Sequence, residues 1–236
     1  MSVDVYSSKN LQVGPSSTGC VGGCPGISLR FVILALGDNQ IEVLCKSQLG
    51  GETWDLPEGG ICSNEGIRKS AQKQLQSVTG MDRIFHDQLQ TFGGSGKAPL
   101  TVAYYALLPP EVCSRVAPVY SNMRWWHWAH LPQLSEESEG LVQSAIRSLR
   151  LRAYYEPIIF SLLPKRFTLL QFQKVYETVL NVRIGKSNFR RKISRMDFLI
   201  PCQEWQQDVA HRAARLYEFD ENAYIKFCES GSIFSF

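Results

Sequence analysis

The stretch from Leu56 to Met81, LPEGGICSNEGIRKSAQKQLQSVTGM, constrains the fold more than any other part of the chain. A Leu-Pro step and a Gly-Gly pair mark a sharp turn leaving a strand. Ile67, Ala71, Leu75 and Val78 then recur at the spacing that lines one side of a helix, which predicts a helix over residues 64–78. Thr79-Gly80 closes it, because glycine takes the left-handed conformation that ends helices.

Around this turn and helix the pattern is that of a sheet. Ile27 to Leu36, ISLRFVILAL, is β-branched and apolar without alternation, a strand buried on both faces. Gly37-Asp38-Asn39 is a hairpin turn and Ile41 to Lys46 the returning strand, with Cys45 a small buried hydrophobe. Leu89 to Phe92 and Leu100 to Leu108 read as strands around a Gly-rich turn, Gly93 to Gly96. Asn122 to His130 is dense in aromatics. Leu141 to Arg152 is a helix with Leu141, Ala145, Ile146 and Leu149 on one stripe and Arg147 and Arg150 facing away. Glu136, Glu137 and Glu139 place negative charge at its positive end.

The box stretch resembles the Nudix box, whose pattern is G-x5-E-x7-R-E-U-x-E-E-x-G-U with U apolar. Gly59, Glu65, Leu75, Gly80 and Met81 fit that spacing without a gap, and Trp54, Leu56, Pro57 and Gly60 sit where a Nudix loop-helix-loop has them. The family's arginine is Lys73, and its three clustered glutamates fall on Gln74, Ser77 and Val78. Magnesium requires hard anionic oxygens, so the resemblance implies the fold and not the hydrolase. No catalytic residue, metal or cofactor is expected. The Trp125-Trp126 region resembles the strand end that precedes the last Nudix helix.

Composition sets the outer bounds. The 236 residues, 44% of them hydrophobic, suffice for one large or two small domains. No run of eighteen apolar residues occurs, so no membrane span is expected. The start lacks a secretion signal, and the seven cysteines have no zinc spacing, including Cys20 and Cys24 around Val-Gly-Gly. Free thiols in a reducing cytoplasm are the expectation. Residues 1–135 carry 10 Lys and Arg against 10 Asp and Glu, whereas residues 145–215 carry 14 against 5. Such asymmetry points to a basic half that meets an anion.

That basic half holds a second motif, LLPKRFTLLQFQKVYETVLNVRIGKSNFRRKISRMDFLIP. Thr168 caps a helix carrying Leu170, Phe172, Val175, Tyr176 and Val179. Gly185 interrupts, and Ser187 or Asn188 caps a second helix, Phe189 to Arg195, with Phe189, Ile193 and Met196 inward and Arg190, Arg191 and Lys192 outward. Residues 198–200 and 215–219 pair as a wing, with His211, Arg212 and Arg215 in or beside its loop. Helix, helix and hairpin in this order suit a DNA major groove, where arginine forks match guanine.

The two motifs together resemble the Nudix-related transcriptional regulators of the NrtR/AraR type, through Leu163-Pro164, Phe167-Thr168-Leu169, Tyr176-Glu177, Asn188 to Lys192 and Leu216-Tyr217. His211 to Tyr217 stands where the family has a G-R-P-A-x-L-Y wing, without its glycine and proline. The resemblance implies an α+β chain: a flexible segment over 1–26, a Nudix α/β/α sandwich with a mixed sheet over 27–153, and a winged helix-turn-helix domain over 154–236. It implies a regulator that senses a small molecule without hydrolysing it and binds double-stranded DNA as a homodimer on a palindromic operator, with no membrane partner. Lys186, Ser187, Asn188, Arg190, Arg191, Lys192, Arg195, Arg212 and Arg215 are the candidate DNA contacts. Arg30, Lys46, Trp54, Glu58, Gln74 and Tyr105 are the candidate ligand contacts, for ADP-ribose or a sugar. The rival classes are a divergent Nudix pyrophosphatase and an RNA-binding Nudix relative.

Overall fold

The computed structural model describes residues 23–47, 53–62, 64–93, 99–119, 122–207, 212–232 and 234. Cys20, His211 and most of the Gly93–Gly96 turn lie outside them. The long strand β1 (Gly23–Gly37) organises the first half. It pairs antiparallel with β2 (Gln40–Ser47) and β4 (Glu58–Cys62) and parallel with β6 (Leu100–Leu107). β3 (Trp54–Asp55) and β7 (Met123–His127) join β2, and β5 (Phe85–Gly93) closes the far edge on β6. The result is a mixed seven-stranded sheet.

Both faces of β1 are covered, as its unbroken apolar run requires. Val32 and Leu34 face one side with Val43, Tyr105 and α3 (Glu136–Ala153). Leu29, Phe31, Ile33 and Ala35 face the other with α1 (Ile67–Thr79) and α2 (Pro110–Val119). Asp38 and Asn39 both take positive φ, the geometry of a tight hairpin. Cys45, Cys113, Cys202 and Cys228 are free thiols, and burial pushes the Cys45 thiol up to about 12.

The box helix starts later than its apolar spacing predicts. Asn64 has a φ of 73°, so the chain is still turning there, and Gly66 takes the N-cap position. The stop is at Gly80, with φ 70°, as expected. Helix α2 has no counterpart in the sequence reading. Pro110 occupies a first-turn position, where a missing N–H costs nothing.

After α3, a 3-10 turn (Pro157–Leu162) leads into the second half. β8 (Phe167–Thr168) passes into α4 (Leu169–Leu180), which has a full Thr168/Gln171 capping box. The second helix, α5, spans Lys186–Ile193 and begins earlier than expected. Gly185 is its N-cap, so Ser187 and Asn188 lie within the first turn rather than capping it. β9 (Leu199–Trp205) and β10 (Arg215–Phe219) form the wing, with Leu199 opposite Phe219. β8 adds a third strand through Leu216 and Thr168. α6 (Glu221–Glu229) follows, capped by Asp220.

One apolar core joins the two halves. Leu141, Ile146 and Leu149 of α3 continue into Ile159, Leu162, Phe172, Tyr176, Phe189 and Phe198. Phe160 stacks on Phe172 at 4.8 Å and on Phe219 at 4.3 Å, tying the connection to both a helix and the wing.

Candidate functional site

The turn between β4 and α1 brings Gly59 against Gln74: a Cβ at Gly59 would lie 2.7 Å from the Gln74 Cδ. Gln74 Nε2 donates to the Gly60 carbonyl at 3.3 Å, and Ser77 Oγ to the Gln74 carbonyl at 2.7 Å. Val78 packs against the core below α1. Glu65 accepts from Lys73 Nζ at 2.6 Å and has Lys69 Nζ at 3.4 Å. The hydrogen bond from Lys73 leads the effects that hold this carboxyl below its usual range. Among the described residues no three His, Cys, Asp or Glu side chains group as a metal site. A neutral amide, a hydroxyl, a hydrocarbon and one lysine-paired carboxylate do not fit magnesium.

A second group of polar residues forms where β1, β3 and β4 meet the first turn of α3. Ser135 caps α3 by accepting from Ser138 N at 3.2 Å. Ser138 Oγ donates to Asp55 Oδ1 and accepts from Arg30 Nη1 at 3.2 Å. Arg30 also lies 3.7 Å from Glu58 and 3.8 Å from Glu137. Beside this network Trp54 meets Trp126 edge-on at 5.6 Å, and the Arg124 guanidinium lies 4.6 Å from the Trp126 ring centre. The Trp126 indole N–H is buried with no hydrogen-bond partner among the described residues. A buried unpaired donor is costly, which suits a site that awaits an acceptor.

The candidate ligand residues therefore separate. Arg30, Trp54 and Glu58 gather at this network, and Lys46 stands opposite Asp55 in register. Gln74 belongs to the turn below β4. Tyr105 joins neither group. It is buried in β6, its hydroxyl accepts from Arg152 Nη1 at 2.6 Å, and its ring packs on Phe85. Arg152 is itself bound to Asp87 and Glu156 at the other end of α3. Asp55, Arg124, Glu137 and Ser138 were not among the expected residues. The Arg124-Trp125-Trp126 sequence and the acidic first turn of α3 were their visible signals.

In the second half, Phe189 and Ile193 anchor α5 in the core. Lys186, Ser187, Asn188, Arg190 and Arg191 are exposed, Lys192 is half-buried, and Arg195 is exposed just beyond the helix. Arg191 Nη2 donates to Asn188 Oδ1 at 2.9 Å, which sets the guanidinium along the outer face. On the wing, Arg212 and Arg215 are exposed, and Arg215 Nε donates to the Cys202 carbonyl at 2.9 Å. A basic helix held in the core is followed by a ribbon where Arg212 and Arg215 stand with Glu204 and Glu218, the element order of a winged helix.

Arg150 departs from the expected outward orientation. It is half-buried, its Nε donates to the Val179 carbonyl of α4 at 3.0 Å, and its guanidinium lies 5.3 Å from the Trp128 ring centre. Thr178 Oγ1 of the same helix donates to the Asn39 carbonyl at 3.2 Å. Helix α3 therefore touches the Arg30 network with its first turn and the second half with its last turns.

Fold and site together define a Nudix-type unit continued by a DNA-binding winged helix. Residues 159–219 match the family model described as the NrtR DNA-binding winged helix domain. The chain is 24% identical over 206 residues, 83% of its length and 82% of the relative's, to the "ADPR responsive transcriptional repressor NtrR" of Acinetobacter baylyi. It superposes on NrtR from Shewanella oneidensis, solved with a 27mer DNA, with a TM-score of 0.75 and 24% identity, covering 88% of this chain and 97% of that one. A second structure of the Shewanella protein gives a TM-score of 0.70 and 25% identity over 84% of this chain and 95% of that one. A MutT/nudix family protein from Enterococcus faecalis gives 0.64 and 19%, covering 84% and 88%. The chain thus has the fold of the NrtR proteins, and its residues 159–219 match their winged helix. No helix among the described residues is long and apolar enough to cross a membrane.

Proposed function

We propose that the chain regulates transcription in the cytoplasm by binding an operator in response to a small metabolite. Residues 27–153 form the sensing domain and residues 154–236 the DNA-binding domain. The observation that carries this is α5: Arg190 and Arg191 project to solvent from a helix whose Phe189 and Ile193 are locked in the core. A rigid helix presenting arginine forks is suited to guanine edges. One such unit makes few base contacts, which favours a homodimer on a palindromic site. Lys186, Ser187, Asn188, Lys192, Arg195, Arg212 and Arg215 extend the contact to phosphates and groove walls.

The sensing site is the network of Arg30, Glu58, Asp55 and Ser138 with Trp54, Trp126 and Arg124 beside it. Aromatic rings, two guanidinium groups and an unpaired N–H suit a ligand with a flat ring or sugar and an anionic group. The Acinetobacter relative is named as ADPR responsive, which makes ADP-ribose the first ligand to test, with pentoses as the alternative. Hydrolysis is not its role: Gln74, Ser77 and Val78 occupy the places of the box glutamates, and Lys73 neutralises Glu65. A bound ligand acts by preferring one arrangement of the two halves, and it changes operator affinity only by that preference.

Selection of bound duplexes from a random pool tests the regulator. A palindromic consensus is the expected result. Binding to RNA without sequence preference, or magnesium-dependent turnover of ADP-ribose at enzymatic rates, would overturn it. Calorimetry with ADP-ribose and with pentoses identifies the effector class.

A further inference from the structure

The first strand of the wing ends on a largely exposed aromatic side chain. Trp205 ends β9 and is 54% exposed, whereas Trp54, Trp125, Trp126 and Trp128 are all half-buried. A single exposed apolar side chain is ordinary; this one is set apart by its place on the wing, opposite Arg215.

The strand register shows which way it faces. Leu199 opposite Phe219, and Pro201 opposite Tyr217, place Phe219 and Tyr217 against the core that holds α5. Side chains alternate along a strand, so Arg215, two residues before Tyr217, lies on that same side. Its partner across the ribbon is Trp205, beyond a register shift that lengthens β9 relative to β10. At this height the core has ended, and a side that is covered lower on the ribbon becomes open. Gln206 N donates to the Ala214 carbonyl at 2.8 Å, so the ribbon is closed up to this point. The Arg215 bond to the Cys202 carbonyl ties its guanidinium to β9. Arg212 is exposed three residues earlier. The acidic neighbour Glu204 is paired with Arg166 and does not oppose a phosphate from this side. Trp205 and Arg215 are therefore cross-strand partners on an exposed stretch of the ribbon, close in sequence to the exposed Arg212.

We infer that Trp205 lies against the sugar-phosphate wall of the DNA minor groove flanking the bases read by α5, with Arg212 and Arg215 on the adjoining phosphates. This rests on the regulator assignment and adds a residue to its DNA contact. The indole excludes water from the deoxyribose edge, while the arginines supply the salt-dependent attraction.

The test uses the full chain and a duplex recovered by selection with the wild type, measured by anisotropy across a salt series together with intrinsic fluorescence. Trp205→Ala should weaken binding about tenfold, as loss of an interface tryptophan does, without changing the slope of log K against log salt. Arg215→Ala should reduce that slope by about one. Trp205→Phe should retain affinity within about threefold, since the ring remains. The fluorescence change on DNA addition should be present in the wild type and absent in Trp205→Phe. Thermal melts confirm folding of each variant. Wild-type affinity in Trp205→Ala, or an unchanged fluorescence response in Trp205→Phe, overturns the Trp205 contact and leaves the regulator standing. A wild type that binds no duplex overturns both.

Discussion

Replacing Arg191 by alanine separates folding from recognition. The side chain is exposed, and Asn188 is the partner it holds across the helix surface. Removing it strands no buried group, so unfolding free energy should change by no more than about 0.5 kcal/mol. Binding should change far more. A guanidinium fork on a guanine contributes about 1–3 kcal/mol of discrimination. In a symmetric dimer the loss occurs twice, giving about 2–6 kcal/mol, or roughly 30-fold to 10⁴-fold in affinity. The assay is anisotropy with a selected duplex at several salt concentrations, alongside a thermal melt. A base-reading arginine relaxes preference at one position of each half-site, whereas a phosphate contact weakens all sequences alike and makes the salt dependence shallower. A folded Arg191→Ala variant with wild-type affinity at moderate salt would refute the assignment of α5 as the reading helix.

Arg150→Ala removes the bond to the Val179 carbonyl and the contact with Trp128. It should cost about 1–2 kcal/mol in denaturant unfolding and diminish the effector's influence on DNA binding while leaving effector affinity alone. An undiminished response would show that the signal does not cross the α3–α4 contact. Lys73→Gln should raise the Glu65 titration, followed by carboxyl NMR, back toward 4.5, its ordinary value. Because the folded carboxyl titrates below its unfolded value, the pair's stabilisation is complete above that value and disappears as pH falls through the folded pKa. An unmoved titration would mean Lys73 is not the cause. Phe160→Ala deletes the ring stacked on Phe172 and Phe219 and should destabilise by about 3 kcal/mol in chemical denaturation. A loss below about 1 kcal/mol would show that the connection is not packed as described.

Local chemistry made the box legible. The recurrence of Ala71 and Leu75, the Gly80 stop and the apolar run of β1 are each decided by neighbours in sequence. The same holds for Thr168 and Gln171, whose capping box is a property of four residues. Non-local pairing is where the sequence was silent. Two residues make β8, and they become a strand through Leu216 and Tyr217, some fifty positions later. Helix α2 has Val112 and Val116 at helical spacing, but a Pro-Pro step at its start and a further proline within it disguise that stripe. Arg150 sits on the flank of a stripe that predicts one buried side, whereas α3 packs against both the sheet and α4. The Arg30, Asp55 and Ser138 network draws on β1, β3 and α3, with Asp55 and Ser138 separated by 83 positions. Tyr105 looked like a cleft residue for the converse reason: nothing near it in sequence reveals that Arg152 will claim its hydroxyl.

The energetics of the Arg30 network limit how a ligand can work through it. An anionic ligand that draws Arg30 from Glu58 and Glu137 breaks two partly exposed pairs, each contributing about 0–1 kcal/mol. A useful switch needs about 1–3 kcal/mol of coupling between ligand and DNA. Ion-pair exchange at the first turn of α3 reaches that range only at its upper limit. The remainder has to come from packed groups with two distinct arrangements. The Trp54–Trp126 contact is the candidate, because Trp126 holds an unpaired buried N–H that an acceptor on the ligand would satisfy. Satisfying such a donor is itself worth about 1–3 kcal/mol. Trp126 lies two residues from Trp128, against which Arg150 is held while it bonds α4. A shift of this strand end therefore reaches the reading half through one strand and one arginine, without requiring the long axis of α3 to move.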